Sequence, residues 1–274
     1  GGGFTTIRFA ETGEVVELDY REVAPLSATR DMYASEESKK AKESVLGGKA
    51  VGVPGIVKGI FTILEKYGTM SFAEVAAPAI RLAEEGFEVH PMQTQIITDE
   101  FGKLSKYSPD CVFLPGGLPA ETGTILKQPG IAKAFRLLAS DGPDAFYNGP
   151  IGEAVVAAVN NSGGKMSMED LRGYEMIVQK PVHGTYRGYS IYSTPPASSG
   201  GTHIVQLLNI MENFPVKALK HNSPEYLHYL AEGMKMVFAD RQKYMADTAF
   251  VKVPLAGLSS KGYAKELADK IRKY

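Results

Sequence analysis

The sequence holds one cysteine, Cys111, and no tryptophan among its 274 residues. A single thiol excludes an internal disulfide and any metal site built from several cysteines, and Cys111 is expected to be packed. Histidines are few and scattered: His90, His183, His203, His221 and His228 stand singly. None has the His-x-x-x-His or His-Glu-x-x-His spacing that zinc ligation needs, so no metal or other cofactor is assigned. An excess of either charge is also missing. Thirty basic residues face thirty-one acidic ones for a net charge of -1, which gives no general attraction to nucleic acid or to an anionic membrane. No run of eighteen apolar residues occurs, so no membrane span is expected. The opening Gly1-Gly2-Gly3-Phe4 has neither the basic n-region nor the apolar h-region of a secretory signal. Internal repeats and low-complexity tracts are absent, which sets repeat architectures aside.

What is present is an ordinary globular composition, 44% hydrophobic and 22% charged, long enough for one large core or two modest ones. Phe4 to Phe9 and Val15 to Tyr20 are β-rich runs around Glu11-Thr12-Gly13, a hairpin whose second strand ends at Arg21. Ser35 to Lys49 is expected to be a solvated excursion. Helical spacing follows Gly52-Val53-Pro54-Gly55 up to Gly68, and again from the Ser71/Glu74 capping box to Gly86, with a kink or break expected at Pro78. Asp110 to Thr124 reads as a loop, and Pro129 to Ala139 and Pro150 to Asn160 as helices.

Further on, Ser167 to Asp170 can cap a short helix, and Pro181 to Tyr186 with Tyr189 to Ser193 flank Arg187-Gly188 as a second hairpin. Thr202 to Asn213 is apolar on too many sides for a surface helix and is expected to be buried. Glu225 to Ala246 carries the longest helical pattern, and the charges of Ala239-Asp240-Arg241 are expected to pair locally. A surface helix closes the chain from Lys261, with Tyr263, Leu267 and Ile271 on one side.

Two places invite chemistry. Ser198-Ser199-Gly200-Gly201 at a helix start suggests a serine nucleophile or an oxyanion cradle. It lacks the first glycine of a nucleophile elbow, and no Gly-Lys-Ser/Thr follows. A structural N-cap is the simpler assignment. No nucleophile with an adjacent base and an orienting group can be picked out anywhere, so no catalytic residue is assigned to this chain. The other place is Arg21. Its planar, permanently charged fork suits bidentate capture of a carboxylate, while a local salt bridge is the plain alternative.

Asp19-Tyr20-Arg21-Glu22-Val23-Ala24-Pro25 with Ala28-Thr29-Arg30-Asp31-Met32 resembles a sequence block of the gamma-glutamyltranspeptidases. Gly52-Val53-Pro54-Gly55, Lys66-Tyr67-Gly68-Thr69, Asn161-Ser162-Gly163-Gly164, Tyr186-Arg187-Gly188-Tyr189, Pro195-Pro196-Ala197-Ser198-Ser199-Gly200-Gly201 and Ala239-Asp240-Arg241 recur in that family's order. The resemblance implies an α+β fold, a four-layer αββα sandwich of the N-terminal-nucleophile hydrolase type. Residues 1–274 would be a single domain forming most of a large subunit, and a second chain would complete the sandwich. A glycine-rich block is expected just ahead of the first strand, with this sequence beginning inside it and stopping as the precursor's cut approaches.

By the same resemblance the nucleophile is a threonine at the start of a small subunit, and Arg21 grips the α-carboxylate of a small-molecule gamma-glutamyl substrate. A periplasmic or extracellular location is expected from the family. Ala197, where many members carry a third proline, and Met245-Ala246-Asp247-Thr248, where they often read Leu-Gly-Asp-Pro, depart from the pattern and bear on specificity. The alternatives are a related acylase and a non-catalytic binding domain for an amino-acid or gamma-glutamyl ligand.

Overall fold

The computed structural model describes residues 1–272. The chain forms two compact units, one made of Gly1–Gly3 and Tyr20–Met176, the other of Phe4–Asp19 and the chain from Ile177 on. Strands and helices are both present and the strands gather into small sheets, an α+β arrangement.

The first hairpin forms as its pattern predicts. β1 (Phe4–Arg8) pairs antiparallel with β2 (Val15–Asp19) in the register Phe4↔Asp19 to Arg8↔Val15. Gly13 supplies a positive φ of 73° in the turn between them.

The unit that contains Arg21 is helical. After α1 (Glu36–Ala41), a single capped turn and a half within the excursion, come α2 (Ile56–Tyr67) and α3 (Phe72–Glu85). The Ser71/Glu74 capping box is formed, with the Glu74 carboxylate held below its usual range by the Ser71 hydroxyl and amide. α3 runs through Pro78 as one helix, so of the kink or break expected there the break does not occur. The donor that proline removes is one bond, and Ala76, Ile80 and Ala83 pack beside Ala132 as a single apolar face. β3 (Phe87–Glu88), α4 (Pro91–Asp99), α5 (Phe101–Tyr107) and β4 (Ile125–Leu126) enclose a satellite core of Val89, Ile97, Leu114, Ala120 and Leu126, against which Cys111 packs. α6 (Pro129–Asp141), α7 (Asp144–Tyr147), α8 (Pro150–Asn161) and α9 (Met168–Arg172) complete the main core around Val57, Phe146, Tyr147, Leu171 and Tyr174.

The other unit joins β5 (Ile177–Gln179) to β2, giving the sheet order β1-β2-β5. Glu17 is fully buried on this sheet, where its carboxylate accepts hydrogen bonds from the hydroxyls of Thr6 and Thr194. β6 (Val182–Tyr186) and β7 (Tyr189–Ser193) form the second hairpin, turning at Arg187 and Gly188 with φ of 50° and 87°. α10 (Gly200–Met211), α11 (Pro224–Tyr244), α12 (Leu255–Leu258) and α13 (Lys261–Ala268) follow, and Ile210, Tyr229, Val237, Ala264 and Leu267 make their core.

α10 is buried, by part of its apolar set and by polar residues as well. Thr202, His203, Gln206 and Asn209 lie inside with Val205 and Ile210, whereas Ile204 is 50% exposed. The helical repeat places 202, 206, 209 and 210 on one side, where the Gln206 amide donates to Asp240 of α11 and the Asn209 amide to Ser259 O, while the Thr202 hydroxyl and Asn209 Oδ1 are buried without a partner among the described residues.

Candidate substrate-binding site

Arg21 lies two residues beyond β2, on an extended segment whose backbone is held from several sides. Tyr20 exchanges backbone bonds with Gly3, at 3.0 and 3.4 Å, and its buried ring lies where a side chain on Gly59 of α2 would have to go. The Arg21 carbonyl accepts a hydrogen bond from the Tyr174 hydroxyl at 2.9 Å. Val23 bridges Val53 through bonds of 3.3 and 2.8 Å. Beyond Pro25, the Leu26 amide donates to the Asp170 carboxylate at 2.6 Å and the Ser27 hydroxyl to the Lys165 carbonyl at 2.5 Å.

Two of those partners, Tyr174 and Asp170, are themselves fixed. Tyr174 stacks on Tyr147, with centroids 5.9 Å apart and rings 13° from parallel. The Tyr147 hydroxyl donates to Pro54 O at 3.0 Å and accepts from the Lys58 amide at 3.1 Å. Burial pushes this phenol up to about 12, the Lys58 amide pulling only weakly the other way, so it stays a donor throughout the neutral range. Gly55 is required at its position: a Cβ there would fall 2.0 Å from the Tyr174 hydroxyl and 2.2 Å from Tyr20 O. Asp170 closes the capping box of α9, taking the Ser167 amide and hydroxyl at 2.7 and 2.8 Å. Burial raises its pKa, but the Leu26 and Ser167 donors outweigh that and hold the carboxyl below its usual range.

The Arg21 residue is exposed and borders an open recess of about 710 Å³, which Glu22, Arg30, Tyr33, Lys49 and Lys165 also line. Four of those six side chains are cationic. Lys49 pairs with Glu43 at 2.8 Å, and Arg30 meets Asp31 at 3.6 Å on the surface. A rigid backbone below an exposed guanidinium, beside a recess of net positive charge, suits a small anion.

A model of the gamma-glutamyltranspeptidase family matches residues 1–274 without interruption. The chain belongs to this family. The crystal structure of Helicobacter pylori gamma-glutamyltranspeptidase superposes with a TM-score of 0.96 at 39% identity, covering 100% of this chain and 79% of that one. The glutathione hydrolase proenzyme of Escherichia coli K12 is 40% identical over 274 residues, 99% of this chain and 47% of its own length. The acylase ACY 1 proenzyme of Pseudomonas sp. SE83 is 42% identical over 275 residues, 97% of this chain and 49% of its own. The chain thus spans about half the length of the curated relatives it matches.

The serine loop is structural in its contacts. Ser199 occupies the cap position of α10 but makes no capping bond; its hydroxyl accepts from Arg241 Nε at 2.9 Å instead. Ser198 takes the Gly200 amide at 3.4 Å, a long contact. His203 turns its Nδ1 to Gln206 at 3.1 Å. Asp240 and Arg241 do not pair with each other as expected. Asp240 is 8% exposed and accepts from Gln206 Nε2 at 2.5 Å and from the Tyr263 hydroxyl at 3.0 Å. Adjacent helical residues point about 100° apart, so one faces the core and the other the loop. Burial, reinforced by the Asp240 carboxylate, pushes the Tyr263 phenol up to about 12.

Among the described residues no cluster of histidine, cysteine and carboxylate side chains could hold a metal, and no helix is long and apolar enough to cross a membrane. Three other histidines have local contacts: His90 caps α4 by accepting from the Met92 amide at 3.4 Å, His183 stacks on Tyr192 at 4.6 Å, and His228 Nε2 meets Arg272 O at 2.9 Å. The sequence singles out Arg21 but gives no direct pointer to Tyr174, whose hydroxyl holds the Arg21 carbonyl. No motif surrounds this tyrosine, and the one trace of it is Gly55, whose missing side chain makes room for the hydroxyl.

Proposed function

We propose that this chain is most of the large subunit of a two-chain gamma-glutamyltranspeptidase-type enzyme, which transfers or hydrolyses the gamma-glutamyl group of glutathione and related compounds. The nucleophile is an N-terminal threonine on a small subunit cut from the same precursor. Its hydroxyl attacks the gamma-carbonyl, its own amine takes the proton, and the acyl-enzyme passes to water or an amino acid. Arg21 holds the substrate's α-carboxylate through a charge-assisted fork, which fixes one end of the substrate while the other reacts. Residues 1–274 act as one domain of a four-layer αββα sandwich completed by the partner, and the enzyme works in the periplasm or outside the cell.

The observation that carries this reading is Arg21 itself, an exposed guanidinium on a backbone bonded to Tyr174 and bracketed by the Gly3 and Val53 contacts. A partner chain is supported by the edge strand β5, whose apolar Ile177 and Val178 are 55% and 49% exposed. The acylase relative favours a second reading, in which the acyl group need not be gamma-glutamyl.

Kinetics of the mature two-chain enzyme on gamma-glutamyl-anilide and on its analogue lacking the α-carboxylate separate the readings. Arg21→Lys keeps the charge and loses the fork, so kcat/KM for the intact donor is expected to fall by about 2–4 kcal/mol equivalent, with the analogue unaffected and maturation spared. Equal loss on both donors, or none, makes Arg21 a structural ion-pair partner. Faster turnover of non-glutamyl acyl donors than of gamma-glutamyl ones favours the acylase.

A further inference from the structure

We propose that Tyr174 is a positioning residue for Arg21, aiming the guanidinium through its hydrogen bond to the Arg21 carbonyl. The inference rests on the reading of Arg21 as the carboxylate clamp. It adds the part that gives the clamp its direction. The Tyr174 hydroxyl reaches Arg21 O at 2.9 Å, so it fixes the plane of the peptide that leaves Arg21 and, with it, the direction of the Cα–Cβ bond. A turn of about ten degrees at that bond swings the tip of an extended arginine by roughly 1 Å, enough to spoil a two-bond fork.

The hydroxyl can do this because its own ring has little freedom. Tyr174 is buried and stacked on Tyr147, and Tyr147 is held at both ends of its hydroxyl by Pro54 O and the Lys58 amide at the start of α2. A continuous line of contacts therefore runs from the first turn of α2 through two parallel rings to Arg21. Gly55 sits against the hydroxyl so closely that no side chain fits. A phenylalanine at 174 would fill the same core, and only the hydroxyl is specific to the task.

Tyr174→Phe removes that hydroxyl and keeps the stack. In the mature two-chain enzyme, KM for gamma-glutamyl-anilide is expected to rise about three- to tenfold with kcat within about twofold, as loss of one buried hydrogen bond allows. Turnover of the analogue without the α-carboxylate stays unchanged, and Tyr174→Phe adds nothing further in an Arg21→Lys background. 3-Fluorotyrosine at 174 retains the donor and should keep wild-type KM, a check that does not depend on how well the phenylalanine variant folds. A lower melting temperature with KM unaltered, equal effects on both donors, or a raised KM with fluorotyrosine overturns the inference. If Arg21→Lys discriminates the donors while Tyr174→Phe does not, only the role of Tyr174 fails; if Arg21→Lys does not discriminate, the clamp fails and the positioning role with it.

Discussion

The Arg21 segment and the Ser199 loop both join a strand to a region of helices, and both carry polar side chains that sequence alone marks for chemistry. They differ in what is tied down. Around Arg21 the backbone is bonded, to Tyr174, Gly3, Val53 and Asp170 along the segment, and the charged side chain is left at the surface. At the serine loop the side chains themselves are consumed, Ser199 by Arg241 and Ser198 by the Gly200 amide, and Gln206 of the helix beyond is buried against Asp240. A candidate binding residue such as Arg21 ties its backbone to the scaffold and keeps its side chain at the surface. A structural polar residue spends its end on the scaffold.

The contrast is broken most severely at Asp240. Asp240→Ala leaves the buried Gln206 amide and the half-buried Tyr263 hydroxyl as donors without this acceptor. Denaturant unfolding of the mature protein is expected to show a loss of about 2–4 kcal/mol, while KM for an α-carboxylate donor stays near wild type. A loss below about 1 kcal/mol means that water or neighbouring groups satisfy those donors and that the polar layer is not structural.

How much of this could be read from the sequence depended on whether the governing interaction was local. The capping boxes at Ser71 and Ser167 and the Arg187-Gly188 turn were legible because three or four residues decide them. The family was legible because the words around Arg21 match it, and the role read for Arg21 comes from that resemblance. The helices α4 and α5 went unread: α4 is capped by a histidine, an unusual choice, and α5 has no side-chain cap. Pro78 suggested a kink or a break, and the break does not occur where α3 packs against Ala132. The inward face of α10 was hidden by the same cause, since Gln206 is separated by 34 residues from the Asp240 that satisfies it. Tyr174 lies 153 residues from the carbonyl it holds, which no spacing rule spans.

A smaller effect sharpens the comparison on the Arg21 side. Asp170→Asn weakens a charge-assisted acceptor that ties Leu26 to α9, at an expected cost of about 1–2 kcal/mol near neutral pH. The folded carboxyl titrates below its unfolded value, so its contribution is fully present above the unfolded value of about 3.9 and is lost as pH falls through the folded one. Wild type and variant should therefore differ by a constant amount above about pH 5 and converge under stronger acid. Unfolding curves from pH 7 down to pH 3 check this, and a gap that widens on acidification rejects the assignment.

The mildest test falls on the serine itself. Ser199→Ala removes the oxygen that receives Arg241 Nε at 2.9 Å and changes no capping bond, because Ser199 makes none. The Arg241 end of this bond is exposed and can turn to water, so the expected loss is about 1 kcal/mol or less, toward the low end for a hydrogen bond with a solvated partner. Maturation and acyl-enzyme formation should proceed. Mass spectrometry of the variant after a brief exposure to donor decides the matter: an acylated small subunit leaves Ser199 in the scaffold, whereas a folded, matured variant that never acylates moves the nucleophile onto this loop and makes the two regions alike after all.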